Sequence, residues 1–187
     1  MTVGFALCGS FCTFEKVFPA MEELAKHHKV IPIFSQAAGC TDTRFGIAAE
    51  HLRKAESICG TAPILTIAQA EPIGPKKLLD ALVIAPCTGN TLAKLSHSIA
   101  DSPVTMAAKS HLRNGRPILI GISTNDALAG AAENIGKLLG KKHYYFIPFG
   151  QDDPFGKPTS MVADFTQLLP ALEAALEGRQ LQPLLIS

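Results

Sequence analysis

Ala81-Leu82-Val83-Ile84-Ala85-Pro86-Cys87-Thr88-Gly89-Asn90-Thr91 is the stretch that decides the architecture. Its first five residues are apolar, with two β-branched side chains at the centre, so Ala81–Ala85 reads as a strand buried on both faces. Small, hydroxyl-bearing and amide-bearing residues follow at once and open a helix that runs through about Ser98. A buried strand that passes through a short polar loop into a helix is the repeating unit of a parallel α/β sheet.

The same unit recurs on either side. Thr2–Leu7 is a short apolar run ended by Cys8-Gly9-Ser10, and Phe14, Val17, Phe18, Met21, Leu24 and Ala25 follow at helical spacing. Pro19 lies inside that pattern and predicts an irregularity. His27-His28 closes the helix, where a cation suits the dipole. Val30–Phe34 predicts a second strand, with Ser35 just beyond it. Gly39–Asp42 reads as a loop, with Thr41 or Asp42 capping a helix through about Ser57. Ile58–Pro75 reads as an extended connection holding a short strand near Ile64–Ile67. After the central strand come a helix over Pro103–Arg113, a strand over Pro117–Ile122, and Ser123-Thr124-Asn125-Asp126 leading into a helix that ends near Gly140. Tyr144–Ile147 is the fifth strand and Pro148–Ser160 a loop. Met161–Leu176 reads as the last helix, with Pro170 a potential break, and Gln180–Ser187 as an apolar tail packed on this domain or a neighbour. The expected fold is one three-layer α/β domain over residues 1–187, Rossmann-like or flavodoxin-like, with a mostly parallel sheet.

Composition narrows the function. The 187 residues are 47% hydrophobic and 18% charged, which argues for a packed core rather than disorder. Lys+Arg is 17 and Asp+Glu is 16, a net charge of +1 with no block of like charge, so neither nucleic acid nor an acidic membrane is the expected partner. Five cysteines with no C-x-x-C pair suggest buried thiols in a reducing cytoplasm rather than a disulfide framework or a zinc site. The N-terminus enters a strand pattern with no cationic leader, so no signal peptide is expected.

Ligands of such sheets bind beyond the carboxyl ends of the strands. That puts Cys8–Ser10, Ser35, Pro86–Thr91 and Ser123–Asp126 on one edge. Gly9-Ser10 lets backbone approach a phosphate, but Phe11-Cys12-Thr13-Phe14 departs from G-x-G-x-x-G and disfavours a dinucleotide loop. Thr88, Asn90 and Thr91 gather donors and acceptors in one place, where a capped helix start needs only one of them. Cys87 has no local base, and no catalytic residue or metal-ligand spacing stands out. His97 and His111 read as structural or solvated. Lys94, Lys109, Arg113 and Arg116 could hold a carboxylate or lie on the surface. Asp152-Asp153 reads as turn chemistry.

APCTGNTLAKLSHSIADSPVTMAAKSHLR, residues 85–113, resembles the signature region of the flavoproteins that include peptidyl-cysteine and phosphopantothenoylcysteine decarboxylases. The resemblance implies FMN held by this loop and the first β-turn. CGSFCTFEKVFPAMEEL, TDTRFG, AEPIGPKKLLDALVIAPCTGN, GISTNDAL and FIPFGQDDPFGKPTSMVADF carry it from about Gly4 to Leu185. Those segments are similar to a branch that works with a second, different subunit to oxidise a dihydropyridine dicarboxylate to the aromatic dicarboxylate during sporulation. On that resemblance Gly9, Ser10, Ser35, Pro86, Cys87, Thr88, Gly89, Asn90, Thr91 and Ser123 would hold FMN. Asn125, Arg44 and Lys109 would hold the dicarboxylate. The companion subunit could bring NAD(P), and trimers or dodecamers with flavin near the interface between copies are implied. Two departures separate the chain from the decarboxylases. Pro72 stands where they carry a histidine, and Gly121-Ile122-Ser123-Thr124-Asn125 replaces their Pro-x-Met-Asn. Decarboxylation of a cysteine-derived substrate and a purely scaffolding role stay open as alternatives.

Overall fold

Hydrophobic burial organises the chain around three central strands. In the computed structural model, which describes residues 1–186, these are β1 (Thr2–Leu7), β3 (Ala81–Cys87) and β4 (Ile118–Thr124). Every residue of β3 is buried. In chain order the elements are β1, α1 (Phe14–His27), β2 (Lys29–Phe34), α2 (Gln36–Cys40), α3 (Ala48–Cys59), α4 (Ile67–Ala70), β3, α5 (Gly89–Ser96), α6 (Pro103–Leu112), β4, α7 (Ala132–Leu139), β5 (Tyr144–Phe146), β6 (Phe149–Gly150), β7 (Met161–Ala163) and α8 (Leu168–Leu176). The sheet runs β2-β1-β3-β4-β7-β6, with β5 also paired to β4. Strands β1 to β5 are parallel, in the order 2-1-3-4-5 of a flavodoxin-like doubly wound sheet. The α/β expectation holds.

Pro86 explains an irregularity in the centre of this sheet. The β3–β4 register shifts between Ile84 and Cys87. A proline has no N–H to give the ladder, so a central strand accommodates it at a bulge. Pro86 still accepts, and the Cys8 amide bonds its carbonyl at 3.2 Å, which ties the end of β1 to the end of β3.

Several expectations fail for tertiary reasons. Met161–Ala163 is a strand, not the start of the last helix. β5 covers only the first half of the free edge of β4, and β7 closes the rest antiparallel, with Ser123 opposite Val162 and Thr124 opposite Met161. Within the expected loop Pro148–Ser160, Phe149–Gly150 is strand β6, paired to β7. Helix α8 therefore starts at Leu168, and Pro170 falls in its first turn, where no intrahelical amide is needed. Helix α1 continues unbroken through Pro19, held by the burial of Val17, Phe18, Met21 and Leu24. Gly39 and Cys40 belong to α2, and α3 starts at Ala48 rather than after Asp42. Asp42 does cap α3 from a distance, its Oδ1 accepting from the Ala48 amide at 2.9 Å. Ile64 makes a lone bridge to Ile33, and Ile67 begins a helix because Thr66 and Gln69 form a capping box. The tail packs on its own sheet, where Phe149 N bonds Leu184 O and Ile186 N bonds Phe149 O. Ser187 lies outside the described residues. No helix among them is long and apolar enough to cross a membrane.

Candidate functional site at the strand ends

The carboxyl ends of β1, β3 and β4, with Phe45 from the segment between α2 and α3, border an open cavity of about 390 Å³, lined by Gly9, Ser10, Phe11, Cys12, Phe45, Thr88, Ser123, Thr124, Asn125 and Asp126. It lies at the β1/β3 switch point, where strand order reverses and adjacent loops diverge. Its volume is within the range of small-molecule sites. Larger and equal cavities exist elsewhere, but the chemistry concentrates here: seven of the ten lining side chains carry a hydroxyl, thiol, amide or carboxyl group.

A chain of hydroxyls forms one wall. Thr13 Oγ1 donates to Ser10 O at 2.8 Å, Ser123 Oγ donates to Thr13 Oγ1 at 3.4 Å, and the Ser10 and Ser123 hydroxyls meet at 2.7 Å. On the other wall Thr88 caps α5, its Oγ1 accepting from the Thr91 amide at 3.3 Å. The Gly89 and Asn90 amides have no hydrogen-bond partner among the described residues. Glycine is required at 89 by close approach. A Cβ there would stand 2.7 Å from Asp126 Oδ1 and 3.0 Å from Thr124 Oγ1. At Gly9 a Cβ would meet the Ala37 Cβ at 3.3 Å.

The sequence-predicted residues divide among several places. Gly9, Ser10, Thr88, Ser123 and Asn125 line the cavity, and Gly89 backs it. Asn90 is exposed beside it. Thr91 points inward and donates to Cys8 Sγ at 3.3 Å. Pro86 and Cys87 are buried within β3, so their side chains offer no surface to a ligand. Ser35 caps α2 through the Ala38 amide and lines a separate cavity of about 240 Å³ with Cys40 and Pro103. Arg44 is exposed, stacked 4.8 Å above the ring of cavity-lining Phe45. Lys109 lies away from the site, in a cavity with Ser98, Arg113 and Tyr144. Lys94 pairs with Asp101 and Arg116 with Asp80. His97 bonds Ala93 O, and His111 is fully buried against Pro117 O. Asp152 and Asp153 organise their own turn, accepting from Ser160 and from the Gly156 amide.

Phe11, Cys12, Phe45, Thr124 and Asp126 are lining residues that sequence reasoning missed. The hydroxyl at 124 and the carboxylate at 126 stood in a loop already placed at the edge, which was the available signal. Nothing local marks Phe11 or Phe45.

Burial works against thiolate formation at both buried thiols. Burial pushes Cys8 up to about 11 and raises Cys87 well above the ordinary thiol range. The arrangement is therefore a binding cradle made mainly of neutral donors and acceptors, with two aromatic rings at its rim.

The family model described as Flavoprotein matches residues 1–129. The B subunit of dipicolinate synthase from Bacillus subtilis (strain 168) is 50% identical over 185 residues, which are 98% of this chain and 92% of that protein. The crystal structure of the dipicolinate synthase B subunit from Bacillus halodurans superposes with a TM-score of 0.91 at 48% identity, over 100% of this chain and 96% of that one. Burkholderia xenovorans DmrB in complex with FMN, a cubic protein cage for redox transfer, shares the fold with a TM-score of 0.68 at 18% identity, over 94% and 95% of the two chains.

Proposed function

Since the chain belongs to the flavoprotein family, on the branch that holds the B subunit of dipicolinate synthase, we propose that it is the FMN-holding member of a two-component dipicolinate synthase. The observation that carries this reading is the multi-donor cavity at the β1/β3 switch point. Its residues fit a flavin mononucleotide. Gly9 and Gly89 leave room for close approach, and Ser10, Thr88, Ser123 and Asn125 offer hydrogen bonds to a phosphate, a ribityl chain or a ring edge. Phe11 and Phe45 supply apolar surface for a planar ring to pack against.

The net reaction takes a hydride and a proton from dihydrodipicolinate and leaves the aromatic pyridine-2,6-dicarboxylate. No side chain accepts a hydride, so bound FMN would supply the two-electron acceptor. Arg44, on the rim beside Phe45, is the basic side chain placed to meet a substrate carboxylate, with Asn125 as a hydrogen-bonding partner. The reading includes the A subunit of the synthase as companion, one flavoprotein-like domain over residues 1–187, a homo-oligomer such as a trimer or dodecamer, and a place in the mother-cell cytoplasm of a sporulating bacterium.

Anaerobic mixing of the FMN-loaded chain, the companion subunit and dihydrodipicolinate tests it. Bleaching of the flavin absorbance in step with dipicolinate formation is the expected result. Product formation that needs NAD(P) and leaves the flavin oxidised would put the acceptor on the companion and overturn the redox role assigned to this chain.

A further inference from the structure

Two loops compete for the phosphate in the sequence, Gly9-Ser10 and Thr88-Gly89-Asn90, and both reach the cavity. Asp126 stands beside the second of them. Its carboxylate lines the cavity and stands against the start of α5, with Oδ1 2.7 Å from where a Gly89 Cβ would be. Thr124 Oγ1 donates to the same oxygen, and Oδ2 would lie 3.2 Å from a Cβ at Gly130. The Asp126 carbonyl accepts from the Ala129 and Ala131 amides at 2.9 and 3.0 Å, so the backbone is held as well. Among the described residues Asp126 has no ion-pair partner, and no Lys, Arg or His lines the cavity. A carboxylate with no ion-pair partner thus stands close to the first residue of α5.

We propose that Asp126 assigns the two ends of the cofactor: it excludes the phosphate from the α5 side, confines it to Gly9-Ser10, and accepts a hydrogen bond from an uncharged O–H or N–H of the ligand. The inference rests on the flavin reading above. A second anion beside an exposed carboxylate that has no ion-pair partner is repelled, whereas a hydroxyl or ring N–H there gains a charge-assisted hydrogen bond. Asp126 is in this sense a specificity-determining residue, and it makes the cavity asymmetric.

Fluorescence-quenching titrations with FMN and with riboflavin, which lacks the phosphate, test it on the purified chain. Asp126→Asn keeps an acceptor for Thr124, and Asp126→Ala removes it, with circular dichroism checking that both fold. Both variants should weaken FMN and riboflavin by the same factor, roughly 10- to 100-fold. Ser10→Ala should weaken FMN while leaving riboflavin near its wild-type affinity. Tighter FMN binding with unchanged riboflavin in Asp126→Asn would place the phosphate beside Asp126 and overturn the proposal. Unchanged affinity for both ligands in both Asp126 variants would overturn it too. Wild-type protein that binds neither ligand would overturn the flavin reading and this inference together.

Discussion

Ser10 Oγ and Ser123 Oγ lie 2.7 Å apart although 113 residues separate them in the chain. Thr13 Oγ1 donates to Ser10 O and lies 3.4 Å from Ser123 Oγ, and either serine can supply the proton between the two. The three hydroxyls thus knit the loop after β1 to the end of β4, across the end of β3. Ser123→Ala breaks this chain at a buried position and leaves Thr13 Oγ1 and Ser10 Oγ short of a partner. Urea denaturation should show a loss of about 1–2 kcal/mol. The Ser10→Ala/Ser123→Ala double variant should lose clearly less than the sum of the singles, because one bond is counted in both. Additive losses would mean that the contact contributes nothing.

Gly89→Ala sets a small helix-favouring gain, about 1 kcal/mol at most, against a clash with Asp126. The carboxylate must swing away from its contact with Thr124. We expect a melting temperature close to wild type and a flavin affinity at least roughly tenfold lower, read by fluorescence titration. A normal affinity would show that the close approach at 89 does not shape the cavity.

Thiol labelling followed by mass spectrometry gives an independent view of the cavity. Cys12 and Cys40 are exposed, Cys59 is half-buried, and Cys8 and Cys87 are buried with their thiols held in the protonated form. A thiolate-directed reagent should modify Cys12 and Cys40 first, Cys59 slowly, and Cys8 and Cys87 only after unfolding. Cys12 lines the cavity and Cys40 does not, so saturating FMN should slow Cys12 alone. Equal protection of both, or of neither, would argue against ligand binding at the strand ends.

His111 makes folding sensitive to acid. It is fully buried, its Nε2 meets Pro117 O at 3.1 Å and its Nδ1 has no partner among the described residues. Burial lowers its pKa to about 4, with Arg116 adding to the shift. Above about pH 6.5 the ring is neutral in both the folded and unfolded chains. Below that the unfolded chain takes up the proton first, so stability falls as pH drops from about 6.5 to about 4, by about 3 kcal/mol in all. His51 is shifted in the same direction by burial and adds to the slope. Denaturation of wild type and His111→Gln across this range should show the variant less stable near neutral pH but with a flatter acid limb. Parallel curves would remove His111 as a cause.

Local pattern was enough for much of this. The spans of β1, β2, β3 and α6 follow closely from apolar runs ended by Gly, Ser, Thr or Pro, because strand burial and turn chemistry are decided over a few residues. The region after Ser160 was not legible in that way. Its apolar spacing suits a helix throughout, and Met161–Ala163 is extended only because β4 outruns β5 and leaves an edge to be paired. Thr91 and Cys87 belong to the right loop yet face inward, since the small residues of that loop serve the sheet as well as the cavity.

That buried parallel strands alternate with helices, and that small polar loops collect at one edge, follows from the order of residues alone, because each of those features depends on near neighbours in the chain. Which side chains share the cavity does not follow from that order. The strand arrangement carries Ser123 to Ser10 and Asp126 to Gly89, and a hydrogen bond or a charge acts over ångströms of space rather than along the chain.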